Sequence, residues 1–161
     1  IRCMPNTPAL IGAGITAAYA APAITHAERN AVERVLKAVG KVIWIDNEML
    51  LDPVTAVSGS GPAYVFYFIE ALRDAAAELG LSADAANRLA VETFLGAAKL
   101  AEQSNEDVAT LRARVTSKGG TTERAIGSMD ADRIKQRIIK AVHAAEQRSR
   151  ELGDELGKDE P

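Results

Sequence analysis

Ser117-Lys118-Gly119-Gly120-Thr121-Thr122 runs directly into Glu123-Arg124-Ala125-Ile126, and this stretch holds the densest chemistry of the 161 residues. Two adjacent glycines let the backbone turn tightly and approach a ligand with no Cβ in the way. A helix that begins straight after them aims its unpaired N–H groups, and the positive end of its dipole, at one spot. Such a nest suits a small anion, a carboxylate or a phosphate. The hydroxyls of Ser117, Thr121 and Thr122 can donate as well as accept. The same spacing also describes an ordinary helix N-cap, which needs only one of those hydroxyls.

Two further segments could carry chemistry. Ser58-Gly59-Ser60-Gly61-Pro62-Ala63-Tyr64 contains a G-x-G. It lacks the third glycine of a dinucleotide fingerprint and follows a predicted helix where the fingerprint needs a strand. By itself it reads as a helix kink that lets another backbone come close. Gly12-Ala13-Gly14 has the same weakness, so no nucleotide-binding domain is visible. Met4-Pro5-Asn6-Thr7-Pro8 makes a stiff ledge able to hold a ring-shaped ligand, and equally makes a rigid turn at a strand end.

Other residues point away from metals and nucleic acids. Cys3 is the single cysteine, which excludes a disulfide framework and a multi-thiolate metal site. His26 and His143 stand far apart with no nearby His or Cys, so no metal site is expected. Trp44, Phe66, Phe68 and Phe94 sit at core spacing. A net charge of -3 and a pI near 5.5 give no basic field for a nucleic-acid backbone. Polar residues break every apolar run short of the roughly 18 needed to cross a bilayer, and no signal peptide is evident. A soluble, cytoplasmic protein is the expectation.

The elements that must position these segments follow from caps and periodicity. Strands are predicted over 14–20 and 41–45. Between them Thr25 and Glu28, at capping-box spacing, start a helix that Gly40 ends. Asp52-Pro53 predicts the next helix start, interrupted at residues 58–62 and then resumed to Gly80. Ser82 caps a helix over 83–102 that is apolar around most of its circumference, with Leu89, Val91, Phe94, Leu95 and Leu100. Ser104 or Asn105 is expected to cap a short helix to Arg114, and another should run from the glycine loop to Ser128. Asp130 is expected to cap the last helix. Residues 153–161 read as a frayed, disordered tail.

In this order the segments 4–8, 57–64 and 115–122, with Ala125-Ile126, resemble pyrroline-5-carboxylate reductase. The Thr116-Ser117-Lys118-Gly119-Gly120-Thr121-Thr122 stretch matches the signature of that family, and the resemblance spans residues 2–152. It implies a mainly α chain: a helical dimerisation and substrate-binding domain over 51–152. Ahead of it, residues 1–50 would be residual strands and a helix of a truncated Rossmann α/β cofactor domain. The chain opens on Ile1-Arg2-Cys3 with no initiator methionine, and the G-x-G-x-x-G loop of the family is missing. Taken alone, the chain is therefore expected to be inactive.

The chemistry implied by the resemblance is transfer of a hydride from NADPH or NADH to the C=N carbon of 1-pyrroline-5-carboxylate, giving L-proline in the last step of proline biosynthesis. By resemblance, Ser117, Gly119, Gly120 and Thr121 would hold the substrate carboxylate. The Thr122 hydroxyl would bond the ring nitrogen as catalytic donor or relay. Met4, Pro5, Asn6 and Thr7, with Val115 and Thr116, would face the nicotinamide end of the cofactor. The helices themselves imply an obligate homodimer, because one layer of short neighbours cannot cover two such apolar faces. The family adds, in many members, a ring of five dimers. The competing expectation is a helical oligomerisation module without catalysis.

Overall fold

β-Branched and aromatic residues fit a pleated, half-buried surface. Gly14–Tyr19 accordingly forms the middle strand, β2, of a three-stranded sheet in the computed structural model, which describes residues 1–157. Arg2–Met4 (β1) lies antiparallel to it, with Met4 opposite Ala17. Gly40–Ile45 (β3) lies parallel, running from Gly14 opposite Gly40 to Tyr19 opposite Ile45. Thr16, Ala17 and Ala18 on the middle strand are buried. The parallel pair opens at very close range: a Cβ on Gly40 would stand 2.0 Å from the Gly14 carbonyl oxygen, and Gly40 has φ +148. Glycine alone meets both demands.

The parallel connection is made by His26–Leu36 (α1), extended by one 3₁₀ turn over Lys37–Val39. Its start is a complete capping box: Thr25 Oγ1 accepts from the Glu28 N–H, and Glu28 Oε2 accepts from the Thr25 N–H at 2.8 Å. Trp44 on β3 donates its indole N–H to Glu33 at 2.8 Å, while the Arg29 guanidinium lies 4.2 Å above the indole. The Lys37 ammonium and this indole hold the Glu33 carboxyl below the ordinary carboxylate range. The Thr25 hydroxyl does the same for Glu28, with the Thr25 backbone N–H adding to it.

Several predicted helix starts move. Thr7, which the following Pro8 biases towards an extended backbone, instead opens a 3₁₀ turn over Thr7–Ile11, where a proline suits the first turn. The helix placed at Asp52-Pro53 is already under way there. Asn47 Oδ1 accepts from the Met49 N–H at 2.9 Å, a 3₁₀ turn covers Glu48–Leu50, and Leu51–Val54 (α2) follows. Asp52 instead accepts from Ser149 Oγ at 2.7 Å. The expected interruption is a wide π turn over Thr55–Gly59, closed by the Ser60 N–H on the Thr55 carbonyl.

Gly61–Glu78 (α3) and Ala83–Gln103 (α4) come next, with Ser82 Oγ capping α4 as predicted. Val108–Arg114 (α5) is capped by Asp107, not Ser104 or Asn105. Asp107 Oδ1 accepts from the Ala109 and Thr110 N–H groups, whereas Ser104 closes α4. Thr121–Ala131 (α6) runs past Ser128 and contains Asp130, so Asp130 caps nothing. Arg133, at φ 54, breaks the chain before Ile134–Leu156 (α7). That helix continues beyond Gly153, where the sequence suggested a tail. Residues 158–161 lie outside the described residues.

The chain divides into two units, Ile1–Tyr64 with Ile139–Pro161, and Val65–Ile138. Among the described residues the buried apolar side chains are Ala17, Ala18, Leu51, Ala56, Ala86 and Ala90. Large side chains lie open: Phe66 is 62% exposed, Tyr67 69% and Leu89 56%. Phe68 and Phe94 stack at 6.5 Å between centroids. Among the described residues no helix is long and apolar enough to cross a membrane.

Candidate anion site and ring groove

Lys118 and Gly119 turn the chain into α6. Gly119 sits at φ +74, in the left-handed region, and the Gly120 N–H returns to the Ser117 carbonyl at 3.0 Å. Gly120 is the N-cap, at φ -85 and ψ 173, an extended conformation open to any residue. Here glycine serves space and chemistry: a Cβ would meet Ser117 Oγ at 2.6 Å, and no side chain is present to cap the helix. The N–H groups of Thr121, Thr122 and Glu123 consequently leave the first turn with no partner among the described residues, and the first returning bond is the Arg124 N–H to the Gly120 carbonyl. The Thr122 hydroxyl is also unengaged among the described residues.

Two of the backbone donors that the resemblance assigns to the carboxylate are bonded inside the chain. The Gly119 N–H donates to Glu123 Oε2 at 2.7 Å and the Gly120 N–H to Ser117. The open donors are those of the helix start itself, one to three residues beyond Gly120. An open cavity of about 610 Å³ adjoins this start, lined by Gly119, Gly120, Glu123, Arg124, Gly127 and Ser128. Glu123 was in the sequence segment but had no role there. The signal for it is its capping-box spacing from Gly120, the same three residues that separate Thr25 from Glu28. Val115 closes α5 and is exposed, and Thr116 Oγ1 donates to the Arg112 carbonyl at 2.7 Å.

In the other unit the ledge and the kink meet. Asn6 Oδ1 accepts from the Ile15 N–H at 2.9 Å, and its Nδ2 reaches Ser58 Oγ at 3.4 Å. The Met4 sulfur lies 3.4 Å from where a Gly59 Cβ would stand. Tyr64 Oη donates to the Ala56 carbonyl at 3.0 Å and ties the π turn to α3. Met4, Pro5, Asn6 and Thr7 line one side of a groove of about 550 Å³, with Thr55, Gly59 and Ser60 on the other.

A mainly α chain with a few strands ahead of it, and a helix start left open beside two glycines, is the class that fold and site define. Comparison with known proteins makes it particular. Residues 48–152 match the family model described as pyrroline-5-carboxylate reductase dimerisation. A pyrroline-5-carboxylate reductase of Pseudomonas aeruginosa is 48% identical over 158 residues, covering 98% of this chain and 58% of that protein. One from Synechocystis is 44% identical, covering 95% and 57%. Among solved structures, a pyrroline-5-carboxylate reductase from Coxiella burnetii superposes with a TM-score of 0.90 at 43% identity, covering 94% of this chain and 56% of that one. Plasmodium falciparum pyrroline carboxylate reductase with NADP bound gives 0.87 at 32% identity, covering 94% and 62%. The chain belongs to the pyrroline-5-carboxylate reductase family. It spans somewhat more than half the length of the relatives it matches.

Proposed function

We propose that this chain is part of an NAD(P)H-dependent pyrroline-5-carboxylate reductase that works in the cytoplasm and reduces 1-pyrroline-5-carboxylate to L-proline. The observation that carries this reading is the start of α6. Three N–H groups unpartnered among the described residues, an adjacent cavity and a free Thr122 hydroxyl suit a small ring that bears a carboxylate beside a nitrogen. Residues 1–50 are the closing part of the cofactor domain, and 51–152 form the dimerisation and substrate domain. NADPH or NADH supplies the hydride that the C=N carbon receives. Cofactor-facing roles fall to the Met4, Pro5, Asn6 and Thr7 groove in one unit and, separately, to Val115 and Thr116 in the other.

The substrate carboxylate takes the N–H groups of Thr121 and Thr122 and the Ser117 hydroxyl. Gly119 and Gly120 shape the approach. Thr122 Oγ1 bonds the ring nitrogen and fixes which face of the C=N bond is presented. A threonine hydroxyl is too weak an acid to supply the proton unaided, so a water relayed through Thr122 delivers it. Most of the rate then comes from positioning. Self-association as a homodimer, assembled in fives, covers the open apolar faces of α3 and α4.

The test uses the polypeptide that the gene encodes, read from its own start codon, with NADPH oxidation followed in the presence of 1-pyrroline-5-carboxylate. Thr122→Ala lowers kcat by about 10²-fold, the low end for a positioned proton-transfer group. Lys118→Ala leaves it within about twofold, since surface changes away from such features have small effects. Equal losses, or no turnover in the parent protein, would refute the reading. An oligomerisation module without catalysis predicts the second result.

A further inference from the structure

Among the described residues, the two helices with an acidic residue three places after the N-cap differ in one respect. At α1 both halves of the capping box are made, Thr25 to the Glu28 N–H and Glu28 back to the Thr25 N–H. At α6 only the returning half exists, from Glu123, and it reaches one residue further back, to the Gly119 N–H at 2.7 Å. Gly119 is the residue that must stay at φ +74 for the chain to enter α6 as it does. A left-handed glycine in an exposed loop visits other conformations freely unless something holds it. Among the described residues the Glu123 carboxylate is the one side chain that bonds the Gly119 backbone, and it lines the cavity beside it.

We infer that Glu123 is a positioning residue for the proposed anion site: it holds the Gly119 turn, so that Gly120 stays at the N-cap and the N–H groups of Thr121 and Thr122 stay free and aligned. This inference rests on the carboxylate-binding reading of α6. A carboxylate so close to an anion site also has an opposing effect, because its charge repels the ligand. The two effects predict opposite outcomes when the side chain is changed. Glutamine keeps an acceptor oxygen for the Gly119 N–H and removes the charge. Alanine removes both.

The experiment measures KM for 1-pyrroline-5-carboxylate and kcat in the full polypeptide, together with the Kd for L-proline. Glu123→Ala raises KM and Kd about tenfold, the loss of roughly one charge-assisted hydrogen bond's worth of order, with kcat held within about twofold. Glu123→Gln stays within about threefold of the parent on both, the rescue that a retained acceptor predicts. Amide exchange at Gly119 speeds up in Glu123→Ala and not in Glu123→Gln. Tighter binding in both variants would show that repulsion dominates and overturn the inference. Unchanged binding in Glu123→Ala would overturn it too. Absence of turnover and of L-proline binding in the parent would instead refute the reading of the site.

Discussion

Replacing Gly120 with serine sets folding against binding. The backbone at 120 is extended, so serine fits it without strain. Its Cβ meets Ser117 Oγ at 2.6 Å and the Ser117 carbonyl oxygen at 3.1 Å; because Ser117 is exposed the hydroxyl can swing away, and the carbonyl has to give by a few tenths of an ångström. Serine in place of glycine at an N-cap is worth only a few tenths of a kcal/mol to the helix, so the melting temperature barely moves. Binding behaves differently. The hydroxyl introduced by Gly120→Ser sits where an N-cap side chain accepts from the first-turn N–H groups, and in taking that of Thr122 it removes a donor the ligand carboxylate needs. Losing one charge-assisted hydrogen bond costs about 1.5–3 kcal/mol, a weakening of roughly 10- to 150-fold. Calorimetric titration with L-proline reads this directly. Gly120→Ala is the control: it adds the Cβ and no hydroxyl, so it isolates the steric part and weakens binding less. Equal affinities for the serine and alanine variants, or a serine variant within about twofold of the parent, would refute the argument that the open N–H groups of α6 are the receptor.

Two further outcomes follow from the fold. Phe94→Asp places a charge against half-buried Phe68 in a stack at 6.5 Å, on the apolar face that the proposed second copy covers; the product is aggregated or unfolded material, while the melting temperature of the parent rises with protein concentration. A compact, stable monomer at micromolar concentration in sedimentation would contradict this. On α1, Glu28 and Glu33 have folded pKa values below the ordinary 4.5; their stabilisation is therefore present above 4.5 and is lost as pH falls through the depressed values. Urea titrations across that acid range show the slope, and Thr25→Ala flattens it; an unchanged slope would refute the role given to the box.

Where the sequence was legible, a single residue type met a single demand. Thr25 and Glu28 stand at the one spacing that satisfies two orphan donors, and Gly40 ends the 3₁₀ turn that extends α1 and opens β3 because no other residue fits against Gly14. The kink at residues 58–62 was visible for the same reason, although its form, a π turn, was not. Cap choice failed where candidates crowd. Ser104, Asn105 and Asp107 all have capping side chains within four residues, and only the register of α5 decides for Asp107. At residues 47–53 the first-turn proline of Asp52-Pro53 is a louder sequence signal than Asn47, an asparagine before a 3₁₀ turn. Asp130 misled because the break before α7 is a left-handed arginine, which no residue preference announces. At the site, the glycines, hydroxyls and ledge were legible, whereas the engagement of the Gly119 and Gly120 N–H groups depends on a turn and a side-chain rotamer.

Asp52 and Ser149 join across 97 residues, and the unit they belong to is built from both ends of the chain with Val65–Ile138 threaded between. Such a layout fixes an order of events during synthesis. The strands and α2 are made before Val65–Ile138, yet the part of α7 that completes their unit is made after it. The intervening helices make mostly local contacts, which close quickly, so they can be in place while the earlier residues still wait. At about 5–20 residues per second that wait lasts several seconds. Throughout it Asp52 on α2 has no Ser149 to accept from, so a chain that stalls near Ile138 lacks the hydrogen bond that ties the two segments of that unit together.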